Sequence, residues 1–197
     1  LIQQTVGNST VLQEDLELIK RQVDIISGLV KQLQSFSKPP RKERRPVDIS
    51  DILSDVLALT RKDLEKRDID VQCNYADALP PILAVPDQIS EVFMNLVINA
   101  RDAMPEGGQL DINVDRQDGH VTTQVCDTGV GIPEKIRDRI FEPFFTTKGE
   151  EGTGLGLAIC YRVVQEHGGD IQVASELQKG TTFAVRLPSA ESPDHLP

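Results

Sequence analysis

Residues 121–132 read Val-Thr-Thr-Gln-Val-Cys-Asp127-Thr-Gly129-Val-Gly131-Ile132, and further on the chain reads Gly152-Thr153-Gly154-Leu155-Gly156-Leu157. The first run begins as an alternating strand and ends in a carboxylate followed by two spaced glycines. Glycines placed this way let the backbone turn sharply and approach a ligand closely. A carboxylate at such a turn accepts a hydrogen bond from an exocyclic amine, such as that of adenine. The same residues also make an ordinary Asx-type turn at a strand end. The second run opens a helix from about Gly154 to His167, stopped by Gly168-Gly169. Free backbone N–H groups and the helix dipole make its start an anion site, suited to a polyphosphate. No Gly-Lys-Ser/Thr closes the run, so it is not a P-loop. The glycine spacing and surroundings also differ from the dinucleotide fingerprint.

Between the two runs lies Ile140-Phe-Glu-Pro-Phe-Phe-Thr-Thr147-Lys148. Phe141, Phe144 and Phe145 supply aromatic anchors for one end of a glycine-rich lid. From that lid Lys148 is within reach of phosphates as a point charge, although a lysine in a loop is more often just solvated. Upstream, Pro86 opens a helix to about Met104, at the position where a helix tolerates proline. Its Ile89, Val92, Phe93, Leu96, Val97, Ala100 and Ala103 fall on one side and face the core. Asn95, Asn99 and Asp102 form a polar line beside that arc. Surface helices usually carry Lys and Glu there; amides and a short carboxylate suit ordered hydrogen bonding. An amide oxygen is also a hard neutral ligand of the kind Mg²⁺ accepts.

Working outward, Asp48 or Ser50 caps a helix with Ile52, Leu53, Val56, Leu57 and Leu64 on its apolar face. Ile69, Val71, Cys73 and Tyr75 alternate as a half-buried strand. Leu110–Val114 and Val121–Cys126 are strands joined by a turn at Asp118-Gly119, and Ile171–Ala174 with Thr182–Leu187 form a hairpin. Helices with mainly antiparallel strands in this order imply an α+β fold, a two-layer α/β sandwich with one sheet covered on one face. Residues 48–188 are the expected extent of this domain, 39–47 a Pro- and Arg-rich linker and 189–197 a polar flexible tail.

Ahead of the linker, Leu12, Leu16, Ile19, Val23, Ile26, Val30 and Leu33 follow a 4-3 spacing. That is a heptad seam on one long helix within residues 1–38. Leu18, Ile25 and Leu29 add a second apolar flank, so a dimeric helical bundle is expected, with a homodimer formed through this helix. A long helix packed on its own domain is the plainer alternative, disfavoured by the proline break.

The chain of 197 residues has 39% hydrophobic and 26% charged residues, the composition of a globular protein. Its net charge of −10 argues against nucleic acid as the partner. No apolar run approaches the roughly 20 residues that span a bilayer. A cytoplasmic location is expected, with membrane attachment only through regions outside this chain. Three scattered cysteines, Cys73, Cys126 and Cys160, form no CxxC pair and read as small buried hydrophobes in a reducing compartment. Leu1 rather than Met at the start is the expected form of a fragment.

In order, Asn99-Ala100, Asp127-x-Gly129-x-Gly131, Phe141-Glu-Pro-Phe144-Phe145 and Gly152-Thr-Gly-Leu-Gly-Leu157 resemble the successive boxes of sensor histidine kinases. Gly180-Thr181-Thr-Phe183 resembles the closing element of the same domain. The resemblance covers about Val47 to Pro188 and is nearest to the nitrogen-regulator type. It implies the Bergerat fold, ATP with Mg²⁺ bound under the lid, and γ-phosphoryl transfer to a histidine for relay to a response regulator receiver domain. On this resemblance Asn99 holds Mg²⁺, Asp127 reads the adenine amine, and the Gly152–Gly156 turn binds phosphates. Thr181 supports the adenine end. Asn95, Asp102, Gly129, Gly131, Ile132, Phe144, Thr147, Lys148, Thr153, Leu155 and Leu157 complete the nucleotide site.

ATPases of the same superfamily, of the gyrase, mismatch-repair and chaperone types, place a water-activating glutamate one turn before the metal-binding asparagine. Here that position is Asn95, which has no useful basicity, so a kinase is favoured over a hydrolase. Glu91, two turns before Asn99, is a poor substitute. A nucleotide-binding ATPase and a dimerisation or docking module without kinase activity are the alternatives. The family's acceptor histidine has no counterpart here: His120 lies in a turn, His195 in the tail, and His167 at a helix end as a structural or dipole-capping group. Asp102 stands where many of these kinases carry a basic residue near the phosphates.

Overall fold

The computed structural model describes residues 43–149 and 152–191. The heptad helix expected within residues 1–38 and the first linker residues lie outside them. A short strand β1 (Arg45–Val47) leads into helix α1 (Ile49–Glu65), followed by β2 (Ile69–Tyr75) and β3 (Ile82–Ala84). Helix α2 (Pro86–Ala103) precedes β4 (Gly108–Gln117) and β5 (His120–Asp127). After a one-turn helix α3 (Glu134–Arg137), helix α4 (Gly156–Glu166) and the hairpin β6 (Asp170–Glu176) and β7 (Gly180–Pro188) complete the fold.

Five strands form one sheet in the order β2-β4-β5-β7-β6. All its pairs are antiparallel except β2 with β4, which is parallel. The chain passes through β3 and α2 between those two strands, and a crossover of that length returns the strand in the same direction. β1 and β3 pair separately as a two-stranded antiparallel sheet that composition did not reveal. It claims residues 45–47 from the expected linker. At the other end Ser189 is buried, donates its N–H to the Gly119 carbonyl at 2.9 Å, and is followed by Ala190 bonded to Pro81. The ordered domain therefore continues past Pro188 into the expected tail.

The core lies on one face of the sheet. Leu110, Ile112 and Val114 of β4, Val121 and Val125 of β5, and Phe183, Val185 and Leu187 of β7 all point inward and are buried. Against them packs the stripe of α2 formed by Ile89, Val92, Phe93, Leu96, Val97 and Ala100. α2 also packs on α1 and on α4, so it is the middle helix of the covering layer. Asp48 caps α1 by accepting the Ser50 N–H at 2.8 Å. The opposite face carries Asn74, Asn113, Gln124 and Arg186. There the Asn74 side-chain amide donates to Asn113 Oδ1 at 2.9 Å. The edge strand β2 is buried only at Ile69. Cys73 is exposed there, contrary to its reading as a buried hydrophobe, whereas Cys160 is fully buried.

His167 ties the end of α4 to the start of α2. The Val85 N–H donates to its Nε2 at 3.1 Å, and its Nδ1 lies 2.7 Å from the Val163 carbonyl. A backbone N–H only donates, so Nε2 is the bare nitrogen and Nδ1 carries the proton. The ring is neutral, which selects the structural role over dipole capping by a cation. Burial pushes the imidazole below its usual range and the Arg44 charge acts in the same direction; the Val163 carbonyl and Glu166 oppose them. Arg44 also donates to the Glu166 carbonyl at the same helix end.

A depressed histidine makes the unfolded chain bind the proton first. Stability is full above the unfolded value of about 6.5 and falls as pH drops from there through the lower folded value. The melting temperature should therefore decline below pH 6.5 more steeply than in His167→Gln. Parallel declines for the two proteins in a pH series would refute this account.

Candidate functional site

The polar line of α2 emerges where α2, the loop after β5 and the start of α4 converge. Asn95, Asn99 and Asp102 are each half-buried, as their place beside the apolar stripe requires. Asn95 meets α4: a Cβ added at Gly156 would stand 3.3 Å from its Oδ1, and its side chain hydrogen-bonds the Cys160 thiol. That thiol is buried and pushed up to about 12, chiefly by desolvation. Glu91 also faces α4, where burial pushes its carboxyl up and the Arg162 charge opposes the shift. It is half-buried and two turns of α2 before Asn99.

One turn after Asn95, Asn99 meets the lid. Lys148 Nζ lies 3.2 Å from Asn99 Oδ1 and 2.7 Å from Asp102 Oδ2. Asp102 also accepts from the Arg101 guanidinium at 2.7 Å. Partial burial pushes the Asp102 carboxyl up, but Lys148 and Arg101 outweigh it and hold the group below its usual range. Lys148 is thus paired with α2 rather than simply solvated.

Asp127 ends β5 with its side chain on the inward face, 8% exposed. Its Oδ1 accepts the Gly129 N–H at 2.9 Å. Burial raises its carboxyl, against the pull of the Gly129 and Thr181 N–H groups. The following loop is tied to α2 by the Val130 N–H on the Ala103 carbonyl at 2.9 Å. It is tied to the β6–β7 turn by the Gln178 N–H on the Val130 carbonyl at 2.8 Å and by the Ile132 N–H on Ser175 Oγ at 2.7 Å. Gly180, at φ 111°, backs onto Asp127 so closely that an added Cβ would collide with the Asp127 carbonyl oxygen. Thr181 pairs directly with Asp127 across the strands and is buried.

The lid is closed at its base by the backbone. The Phe144 N–H donates to the Gly154 carbonyl at 2.9 Å, with Phe144 at φ 67° and Gly154 at φ 65°. An added Cβ at Gly154 would strike the Phe144 carbonyl carbon. Phe141 packs beside Tyr161 and Phe183, with ring centroids 5.6 and 6.4 Å away, and Arg139 lies 4.6 Å over the Phe145 ring. Phe144 itself is 69% exposed, so the expected three-aromatic anchor has two packed rings and one anchored only through its backbone. Thr146 Oγ1 accepts the Lys148 N–H at 3.1 Å. Thr153 Oγ1 receives the Leu155 N–H at 3.3 Å, and Leu155 is buried at the head of α4. Leu157 packs against the core rather than the opening, while Thr147 is exposed.

Ser175 escaped the sequence reading. Its signal was present: after Ile171 and Val173 it takes the next inward-facing place on β6, where an apolar residue is expected.

A family model described as histidine kinase-, DNA gyrase B- and HSP90-like ATPase matches residues 84–191. The sensor kinase CckA of Brucella abortus (strain 2308) is 38% identical over an alignment of 190 positions that covers 88% of this chain and 20% of that protein. The chain thus spans about a fifth of this relative's length. The solved catalytic domain of the histidine kinase ThkA superposes with a TM-score of 0.69 at 32% identity, covering 75% of this chain and 97% of that one. ThkA bound to the response regulator TrrA gives 0.75 at 28%, over 91% and 51%. Full-length ShkA in complex with AMPPNP gives 0.78 at 30%, over 88% and 38%. By these likenesses the chain belongs to the histidine kinase-, DNA gyrase B- and HSP90-like ATPase family, in its branch of histidine kinase catalytic domains.

Proposed function

We propose that the chain is the catalytic region of a sensor histidine kinase. It binds ATP with Mg²⁺ and passes the γ-phosphoryl group to an imidazole nitrogen of a histidine, other than the three in this chain, for relay to a response regulator aspartate. The observation that supports this reading is the Lys148 ammonium donating to Asn99 Oδ1 beside the lid, an amide oxygen of the kind Mg²⁺ accepts. Asn99 would hold the metal, with Lys148 released towards the phosphates. When bound, Mg²⁺ would neutralise charge on the phosphate oxygens.

The residues divide the nucleotide between them. Asp127, with Thr181 beside it, takes the adenine end. The turn at Gly152–Gly156 takes the phosphates at the head of α4, with Gly129, Gly131, Ile132, Thr147, Thr153 and Leu155 around the opening. Asp102 anchors the lid through Lys148. Leu157 has a packing role and Phe144 a backbone one. In transfer the new bond is N–P, the bond to the β-phosphate oxygen breaks, and ADP leaves.

Asn95 separates this reaction from hydrolysis. An amide takes no proton from water at neutral pH, and Glu91 faces Arg162 instead. The solved ThkA–TrrA pair supports a receiver domain as partner, and the heptad seam supports a homodimer. Among the described residues no helix is long and apolar enough to cross a membrane, in keeping with a cytoplasmic catalytic region.

Asn99→Ala should weaken Mg-ATP binding by about tenfold or more, the scale of a lost contact to a charged group, while adenosine binding stays nearly unchanged. Asp127→Asn should weaken both to a similar degree. Calorimetric titration with the two ligands tests the division, and equal effects of the two substitutions on adenosine would break it. The purified chain should release almost no phosphate from ATP without an acceptor. Rapid steady-state turnover in a coupled assay would count against the kinase reading.

A further inference from the structure

Ser175, Thr181 and Asp127 form a row across three neighbouring strands. Ser175 pairs with Thr181 between β6 and β7, and Thr181 pairs with Asp127 between β7 and β5. All three occupy the inward-facing positions of their strands. Direct cross-strand partners hold their Cβ atoms about 5 Å apart, and the Asp127 carboxylate accepts the Thr181 backbone N–H, so the two side chains sit side by side on the inward face.

The proton positions in this row follow from its fixed members. Ser175 Oγ has three neighbours: the Ile132 N–H at 2.7 Å, the Gly180 carbonyl at 2.9 Å and Thr181 Oγ1 at 3.0 Å. A hydroxyl offers one proton and two lone pairs. The backbone N–H can only donate to it and the carbonyl can only accept from it. The Ser175 proton is therefore committed to Gly180, and the third contact is satisfied only if Thr181 donates. Thr181 has a single hydroxyl proton, and it points to Ser175, away from Asp127. Its lone pairs remain, beside a carboxylate that is itself only an acceptor.

We propose that Ser175 is a positioning residue that sets the base preference of the nucleotide site: by holding Thr181's only hydroxyl proton, it leaves Asp127 and Thr181 as paired acceptors, matched to a purine 6-amino group and mismatched to a 6-carbonyl. This rests on the reading of Asp127 as the adenine end of the site. A 6-amino group brings two N–H donors to the pair. A 6-carbonyl brings lone pairs against lone pairs, and no proton in the row is free to bridge them. Without the Ser175 acceptor the Thr181 hydroxyl would turn. It would either donate to a 6-carbonyl or occupy the Asp127 oxygen that an amine needs, and both outcomes erode the preference.

The test is the ratio of ADP to IDP affinity, measured by calorimetry with Mg²⁺ on the full chain. IDP carries a carbonyl where ADP carries the amine. The unaltered chain should prefer ADP. Ser175→Ala should reduce that preference by roughly fivefold, the worth of one hydrogen bond, and Ser175→Thr, which keeps the hydroxyl, should restore it. Ser175→Cys keeps the shape but loses most of the acceptor strength, and should move the ratio the same way as alanine even if alanine compromises folding. Loss of ADP and IDP affinity by one common factor would mean that Ser175 only braces the turn, and would overturn the proposal. Failure of the unaltered chain to bind ADP would instead overturn the adenine-site reading, and the proposal with it.

Discussion

The middle helix of the covering layer must bury one side and keep its neighbouring side wet, and most of this molecule is arranged around that constraint. Ile89, Val92, Phe93, Leu96, Val97 and Ala100 are removed from water between the sheet and the two flanking helices. Removing such side chains from water contributes about 1.5–3 kcal/mol each, so the rotation of the helix about its axis is strongly held. Asn95, Asn99 and Asp102 have no freedom to leave the border of that stripe. The placement of these polar side chains is thus a by-product of core packing. His167 adds a second restraint by gripping the helix at Val85 through a neutral imidazole.

Around that helix the site is built from parts that lean on one another by backbone contact. The loop after β5 is bonded to the end of α2 and to the turn between β6 and β7. The lid is bonded to itself where Phe144 meets Gly154. These joins hold the two ends of the proposed nucleotide site with hydrogen bonds that do not depend on a ligand. The charged contact of Lys148 with Asn99 and Asp102 is different in kind. It is partly exposed and belongs to the loop, so it is the contact that the proposed phosphate and metal binding would displace. The backbone-bonded scaffold and the partly exposed ion pair sit side by side.

Much of this was legible in the residues. The period of the apolar positions located α1, α2 and α4 and the five strands of the larger sheet, because burial of one face imposes a repeat of 3.6 or 2.0. The order of the glycine runs and the asparagine line pointed to the family that the comparisons show. Other parts left no such trace. β1 and β3 are three residues each, too short for a repeat to register. The parallel pairing of β2 follows from what lies between the strands rather than from the strands. Cys73 has the right place in an alternating pattern, but on an edge strand that the helices do not cover.

Composition and periodicity determined the layer architecture, the faces of the helices and the identity of the candidate site residues, since these depend on solvent exposure along a local segment. Only the tertiary structure decided which groups meet. Lys148 is 46 residues from Asp102 and 49 from Asn99, yet its ammonium joins them. The direction of the Thr181 proton depends on a serine one strand away, a carbonyl and an N–H from two separate turns. Hydrogen bonds and ion pairs act over about 3 Å through space, and no pattern in the order of residues encodes such distances.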